Sequence, residues 1–102
     1  MGSIMSISVS RLAPADAQAL AELFVHISTD PAAALFHPHP FTTEKAHEVV
    51  NWSGRDIYLG LFMNGALQGY GMLRGWDEGF DVPSLGIYLR SDARGLGLAR
   101  VF

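Results

Sequence analysis

Ser84-Leu85-Gly86-Ile87-Tyr88-Leu89, a short polar link from Arg90 to Ala93, then Arg94-Gly95-Leu96-Gly97-Leu98-Ala99, form one continuous stretch near the end of the 102-residue chain. The first six residues are apolar and rich in strand formers, so they predict a β-strand. The last six predict a glycine-rich loop that opens a helix. Small residues let the backbone approach an anion, and the N–H groups of a helix start then point at it. Two familiar phosphate motifs fit poorly. A dinucleotide fingerprint G-x-G-x-x-G needs a small residue where Arg100 stands, and a P-loop needs G-K-[ST], which is absent. An ordinary glycine-rich turn between strand and helix remains the plainer alternative.

Upstream, Ile57-Tyr58-Leu59-Gly60-Leu61-Phe62-Met63 and Ala66 to Leu73 flank Asn64-Gly65. Asn-Gly is the preferred pair for a type I′ turn, because both central residues need positive φ. The pattern predicts a hairpin over 57–73, followed by a loop from Gly75 to Pro83. At the other end, Ser6, Ser8 and Ser10 alternate with Ile7 and Val9, which predicts a half-buried strand over Ile4 to Leu12. Pro14 suits a first helical turn, and Ala17, Leu20, Phe24 and Ile27 recur at helical spacing. A helix is expected from Pro14 to His26 or Ile27. Pro31, Pro38 and Pro40 forbid a long regular element over Thr29 to Phe41. Thr42 then reads as the N-cap of a second helix with Glu44 in its first turn, ending near Trp52 or Ser53 before Gly54. Trp52, Tyr58, Phe62 and Tyr70 read as core or hairpin-face residues, and Trp76 and Phe80 as core edge.

The element order β-α-α-β-β-β and the R-x-x-G-x-A pattern of Arg94 to Ala99 together resemble the N-terminal part of a GCN5-related N-acetyltransferase (GNAT). The resemblance covers nearly the whole chain. It implies an α/β (α+β) fold with a mixed, mainly antiparallel sheet, and acetyl-CoA as cosubstrate. It implies that the backbone of Gly95, Gly97, Leu98 and Ala99, with Arg94 as an added cation, holds the CoA pyrophosphate. Ile87, Tyr88 and Leu89 would present main-chain groups to the pantetheine arm, as an added strand does, and one backbone N–H there would polarise the thioester carbonyl. The reaction implied is direct attack of an amine on the acetyl thioester, with a carboxylate or water chain taking the proton. Many relatives place a glutamate beside this strand, where this chain has Ser84. Serine is no general base alone, but it can hold a relay water. Asp77, Glu78 and Asp81 are the nearest carboxylates, and as loop residues they read first as solvated charges. Ser84 and Glu78 are the catalytic candidates. The connection between the first two helices helps form the acceptor pocket in the family, which makes Phe36, His37, His39 and Phe41 the substrate candidates, with a histidine able to relay a proton near neutral pH.

The GNAT fold continues past this loop through further helices and strands, which carry a tyrosine that commonly protonates the leaving thiolate. Residues 1–102 therefore read as a single partial domain. Its fourth strand would invite pairing, so a homo-oligomer, strand exchange or a completing chain segment is expected. A non-catalytic, truncated CoA-binding or protein-interaction module is the alternative function.

Bulk properties narrow the classes. The chain is 49% hydrophobic and 17% charged, so it is globular rather than disordered. At this length a chain buries roughly 65% of its unfolded surface. A mean hydropathy of +0.20 suggests that some apolar surface expects a partner. Net charge is −3 and Lys45 is the lone lysine, which argues against nucleic acid. Cysteine is absent, which removes disulfides and thiolate sites and suits a cytoplasmic protein. Apolar runs are too short to span a bilayer, so no membrane partner is expected. Met1-Gly2-Ser3-Ile4-Met5-Ser6 matches a short acylation pattern that chance also produces. His37 and His39 flank a proline with no carboxylate or cysteine nearby to complete a ligand set, so no metal is expected.

Overall fold

A computed structural model describes residues 6–34, 36 and 38–90. His37 and the loop candidates Arg94, Gly95, Gly97, Leu98 and Ala99 lie outside the described residues. Strand β1 spans Ile7–Arg11, helix α1 Ala17–Thr29, helix α2 Thr43–Val50, and strands β2, β3 and β4 span Ile57–Met63, Ala66–Arg74 and Ser84–Leu89. They form a four-stranded antiparallel sheet in the order β1-β2-β3-β4. The expected α+β order is present.

The hairpin follows its turn chemistry. Asn64 and Gly65 have φ of 52° and 83°, the left-handed region that the type I′ turn requires. Asn64 also ties the hairpin to the start of β1. Its N–H donates to the Ser6 carbonyl at 2.8 Å, and its Oδ1 accepts from the Ser6 N–H at 2.9 Å.

Helix boundaries differ from the periodicity. Pro14–Asp16 forms a 3-10 turn, and α1 begins only at Ala17. Asp16, the last residue of that turn, reaches back to its start, its Oδ2 accepting the Ala13 N–H at 2.8 Å. At the other end, Asp30 is extended, as a residue before proline prefers, and its Oδ1 accepts from the Ala32 N–H. Thr42 does cap α2, accepting the Lys45 N–H at 3.0 Å. That helix stops at Val50, short of Trp52, because the Asn51 side chain donates to the His47 carbonyl and closes the last turn.

Both helices pack on one face of the sheet. Leu20, Leu23, Phe24, Ile27, Ala46, Val49 and Val50 meet Tyr58, Tyr70, Met72 and Tyr88. On the opposite face Leu61 is buried among Ile7, Val9, Met63 and Leu89. Phe80, expected at the core edge, is exposed. Among the described residues, no helix is long and apolar enough to cross a membrane.

Candidate active site

The end of β3 and the start of β4 open into a cavity of about 530 Å³. Phe36 and Pro38 from the α1–α2 connection form one wall, Met72 and Arg74 of β3 the floor, and Glu78 and Ser84 the polar rim. Gly86 lets the wall close on the strand. A Cβ there would sit 3.3 Å from Phe36 and 3.4 Å from Met72, so a larger residue would push the Phe36 ring away.

Two aspartates far apart in sequence brace the β3–β4 loop. Asp56 Oδ1 accepts from the N–H groups of Gly75 and Asp77 at 3.1 and 3.2 Å. In return Asp77 accepts from the Arg55 and Asp56 N–H groups at 2.8 and 2.9 Å and from Trp52 Nε1 at 3.1 Å. Asp77 is therefore a structural clasp, not the freely solvated charge that its loop position suggests. The Arg55 N–H, then the Asp56 N–H, hold its carboxyl below the usual range. A carboxylate whose folded pKa is depressed contributes stability above its unfolded pKa and loses it as pH falls through the folded value. The melting temperature of the wild type should thus fall more between pH 5 and pH 3 than that of Asp77→Asn, measured by circular dichroism. Equal slopes would remove Asp77 from the brace.

Arg74 anchors the opposite wall, its Nη1 donating to the Pro38 carbonyl. Its Nε is buried with no hydrogen-bond partner. This residue escaped sequence reasoning because its partner lies 36 positions away.

The substrate candidates separate. Phe36 lines the cavity, whereas His39 and Phe41 do not. They join Phe24 and Tyr70 in a ring cluster with centroids 5.2–5.7 Å apart. Nδ1 of His39 lies 2.7 Å from the Pro40 carbonyl, which only accepts, so Nδ1 carries the proton. Nε2 then accepts from the Tyr70 hydroxyl at 2.8 Å. Burial lowers the His39 pKa, and burial raises that of Tyr70, so both are neutral near pH 7. With both ring nitrogens engaged, His39 holds the connection in place and is poorly placed to relay a proton.

The catalytic candidates Ser84 and Glu78 share the cavity and are exposed. Among the described residues, no group of three His, Cys, Asp or Glu side chains converges as a metal site would require.

The phase of the β3–β4 ladder decides which main-chain groups are accessible. The Arg90 N–H donates to the Gln68 carbonyl at 2.8 Å, which makes 90 and 68 a hydrogen-bonded pair. Alternation then turns the main-chain groups of Ser84, Gly86 and Tyr88 toward Arg74, Met72 and Tyr70. Leu85, Ile87 and Leu89 direct theirs to the far edge, where no strand pairs among the described residues. Of the three strand candidates, Ile87 and Leu89 thus present main-chain groups outward, while those of Tyr88 serve the sheet. The Tyr88 side chain is buried and its hydroxyl donates to Asp30 Oδ2 at 2.8 Å.

Solved structures share this architecture. A GNAT-family acetyltransferase from Streptococcus pneumoniae matches with a TM-score of 0.69 and 22% identity, over 94% of this chain and 62% of that one. The ribosomal-protein-alanine N-acetyltransferase of Brucella melitensis biovar Abortus 2308 matches at 0.62 and 22%, over 94% and 65%. A probable acetyltransferase matches at 0.66 and 25%, over 91% and 56%. No family model and no curated protein matches the chain. The chain has a GNAT-like fold and spans less than two thirds of the length of each of these structures.

Proposed function

We propose that the protein is an acetyl-CoA-dependent N-acetyltransferase. The observation that carries the reading is the outer edge of β4. In a GNAT-like fold, this strand precedes Arg94 to Ala99 in sequence, the main chain of Leu85, Ile87 and Leu89 has no strand partner on its far side among the described residues, and Leu85 lines the cavity. Three alternate residues with outward N–H and C=O groups suit an extended amide-bearing arm, which binds as an added strand does. Bound acetyl-CoA would supply an activated acetyl thioester. The N–H of Ile87 or Leu89 is placed to donate to a carbonyl oxygen as charge builds on it. Glu78 is the carboxylate on the cavity and takes the amine proton, directly or through water held by Ser84.

Calorimetric titration of the full chain with acetyl-CoA, paired with a thiol-release assay, tests the reading. Saturable micromolar binding and thiol release that depends on an added amine are the expected results. Binding without amine-dependent release would favour a non-catalytic CoA-binding module. No binding by a folded sample would overturn both.

A further inference from the structure

The cavity holds one guanidinium and one carboxylate that do not pair. Arg74 and Glu78 both line it, yet the one ion pair among the described residues is Lys45–Glu48, elsewhere on α2. The hydrogen bond of Arg74 to the Pro38 carbonyl uses Nη1, on the Cδ side of the guanidinium. The opposite edge, Nε with Nη2, makes no hydrogen bond among the described residues, and Nε is already out of water. A buried N–H without an acceptor is costly. Moreover, the Nε/Nη2 edge is the fork that matches the two oxygens of a carboxylate. Phe36, Met72, Phe80 and Leu85 give the rest of the cavity an apolar lining.

We propose that the amine acceptor is an α-amino acid with an apolar side chain, its carboxylate taken by the Arg74 guanidinium and its ammonium by Glu78. This inference rests on the acetyltransferase reading and names the substrate class of that site. One cation and one anion in a shared cavity suit a zwitterion, while a phosphate dianion would meet the Glu78 carboxylate with only Arg74 to offset it. In the reaction the ammonium gives one proton to Glu78 or its water. The amine nitrogen then forms a bond to the acetyl carbon, the C–S bond breaks, and the second proton that the nitrogen gives up goes to the departing sulfur. The products are an N-acetyl amino acid and free thiol.

Three probes separate the parts on the unmodified full chain: L-leucine, leucinamide, which lacks the carboxylate, and 4-methylpentanoate, which lacks the amine. Binding is followed by the ¹⁵N resonance of the Arg74 Nε–H group, and transfer by thiol release with acetyl-CoA. Leucine should shift that resonance saturably. Leucinamide should bind at least about 10-fold more weakly, because a site built around a polar group discriminates against ligands lacking it. 4-Methylpentanoate should still shift Arg74, and Glu78→Gln should weaken leucine but not 4-methylpentanoate. Arg74→Lys, which keeps the charge but not the fork, should lose most of the preference for leucine over leucinamide while circular dichroism confirms the fold. Leucinamide bound and acetylated as well as leucine would overturn the acceptor class and leave the transferase intact. Leucine bound at Arg74 with no thiol released from any amine would support the site and overturn the transferase reading. Failure of leucine, methionine and phenylalanine all to move the Arg74 resonance would overturn the proposal.

Discussion

Phe24→Ala should lower the melting temperature by roughly 15–30 °C, because it truncates one of the largest fully buried side chains of the fold. Phe24 is 1% exposed and its ring contacts Tyr70, Phe41 and His39 with centroids 5.3–5.4 Å away. Truncation forfeits the transfer energy of the ring and leaves a cavity that rigid aromatic neighbours fill badly, a cost of about 3–5 kcal/mol. A domain of this size has a total stability of about 5–15 kcal/mol, so the variant would sit near the unfolding threshold. Val25, the next residue, is 62% exposed and supplies the control. Val25→Ala should change stability by no more than about 0.5 kcal/mol. Thermal melts followed by circular dichroism compare the two. A Phe24→Ala melt within a few degrees of wild type would mean that the ring cluster does not hold the helices to the sheet. The α1–α2 connection would then need another anchor, because His39 and Phe41 reach the core mainly through Phe24 and Tyr70.

What was legible in the sequence was what short-range physics decides. The bounds of β2 and β4 and the positive φ of Asn64 and Gly65 follow from alternation and turn chemistry, which operate within a few residues. Helix ends moved because capping is a contest among local partners that composition does not rank. The Asn51 side chain won at His47, and Asp16 won at Ala13. The site was less legible because its decisive contacts are long-range. Asp77 looks like any loop carboxylate until Arg55 and Asp56, over twenty residues earlier, present their N–H groups to it. His39 sits in a proline-rich connection, where exposure is the natural expectation, yet Tyr70 draws it 31 residues across the fold into a ring cluster. Arg74 falls just past the return strand that the pattern predicts over Ala66 to Leu73, and the structure makes it the last residue of β3. Its significance comes from Pro38 on one side and from an unpaired Nε on the other. The ladder phase that sorts Ile87 and Leu89 from Tyr88 likewise needs a pairing partner, which no single strand declares.

That phase gives the proposed transferase its sharpest test, in the strand and in the loop that follows. Arg94→Glu with Gly97→Asp places two carboxylates where the resemblance puts a pyrophosphate. Each charge-assisted contact contributes about 1.5–3 kcal/mol, so losing several while adding repulsion should weaken acetyl-CoA binding by more than about 100-fold. The effect should be specific to the nucleotide end, with the melting temperature little changed. Ile87→Pro probes the other end of the same ligand. Its missing N–H faces the outer edge of β4, where proline is tolerated because it breaks no ladder bond. The fold should survive while acetyl-CoA affinity falls at least about 10-fold. Tyr88→Pro, one residue on, removes an N–H that bonds Tyr70 and should instead unfold the β3–β4 pair. Calorimetry for binding and circular dichroism for folding separate the cases. If Ile87→Pro binds acetyl-CoA as wild type does, the outer edge of β4 is not the pantetheine surface. If the loop variant does so, Arg94 to Ala99 is an ordinary turn and the acetyltransferase reading falls with it.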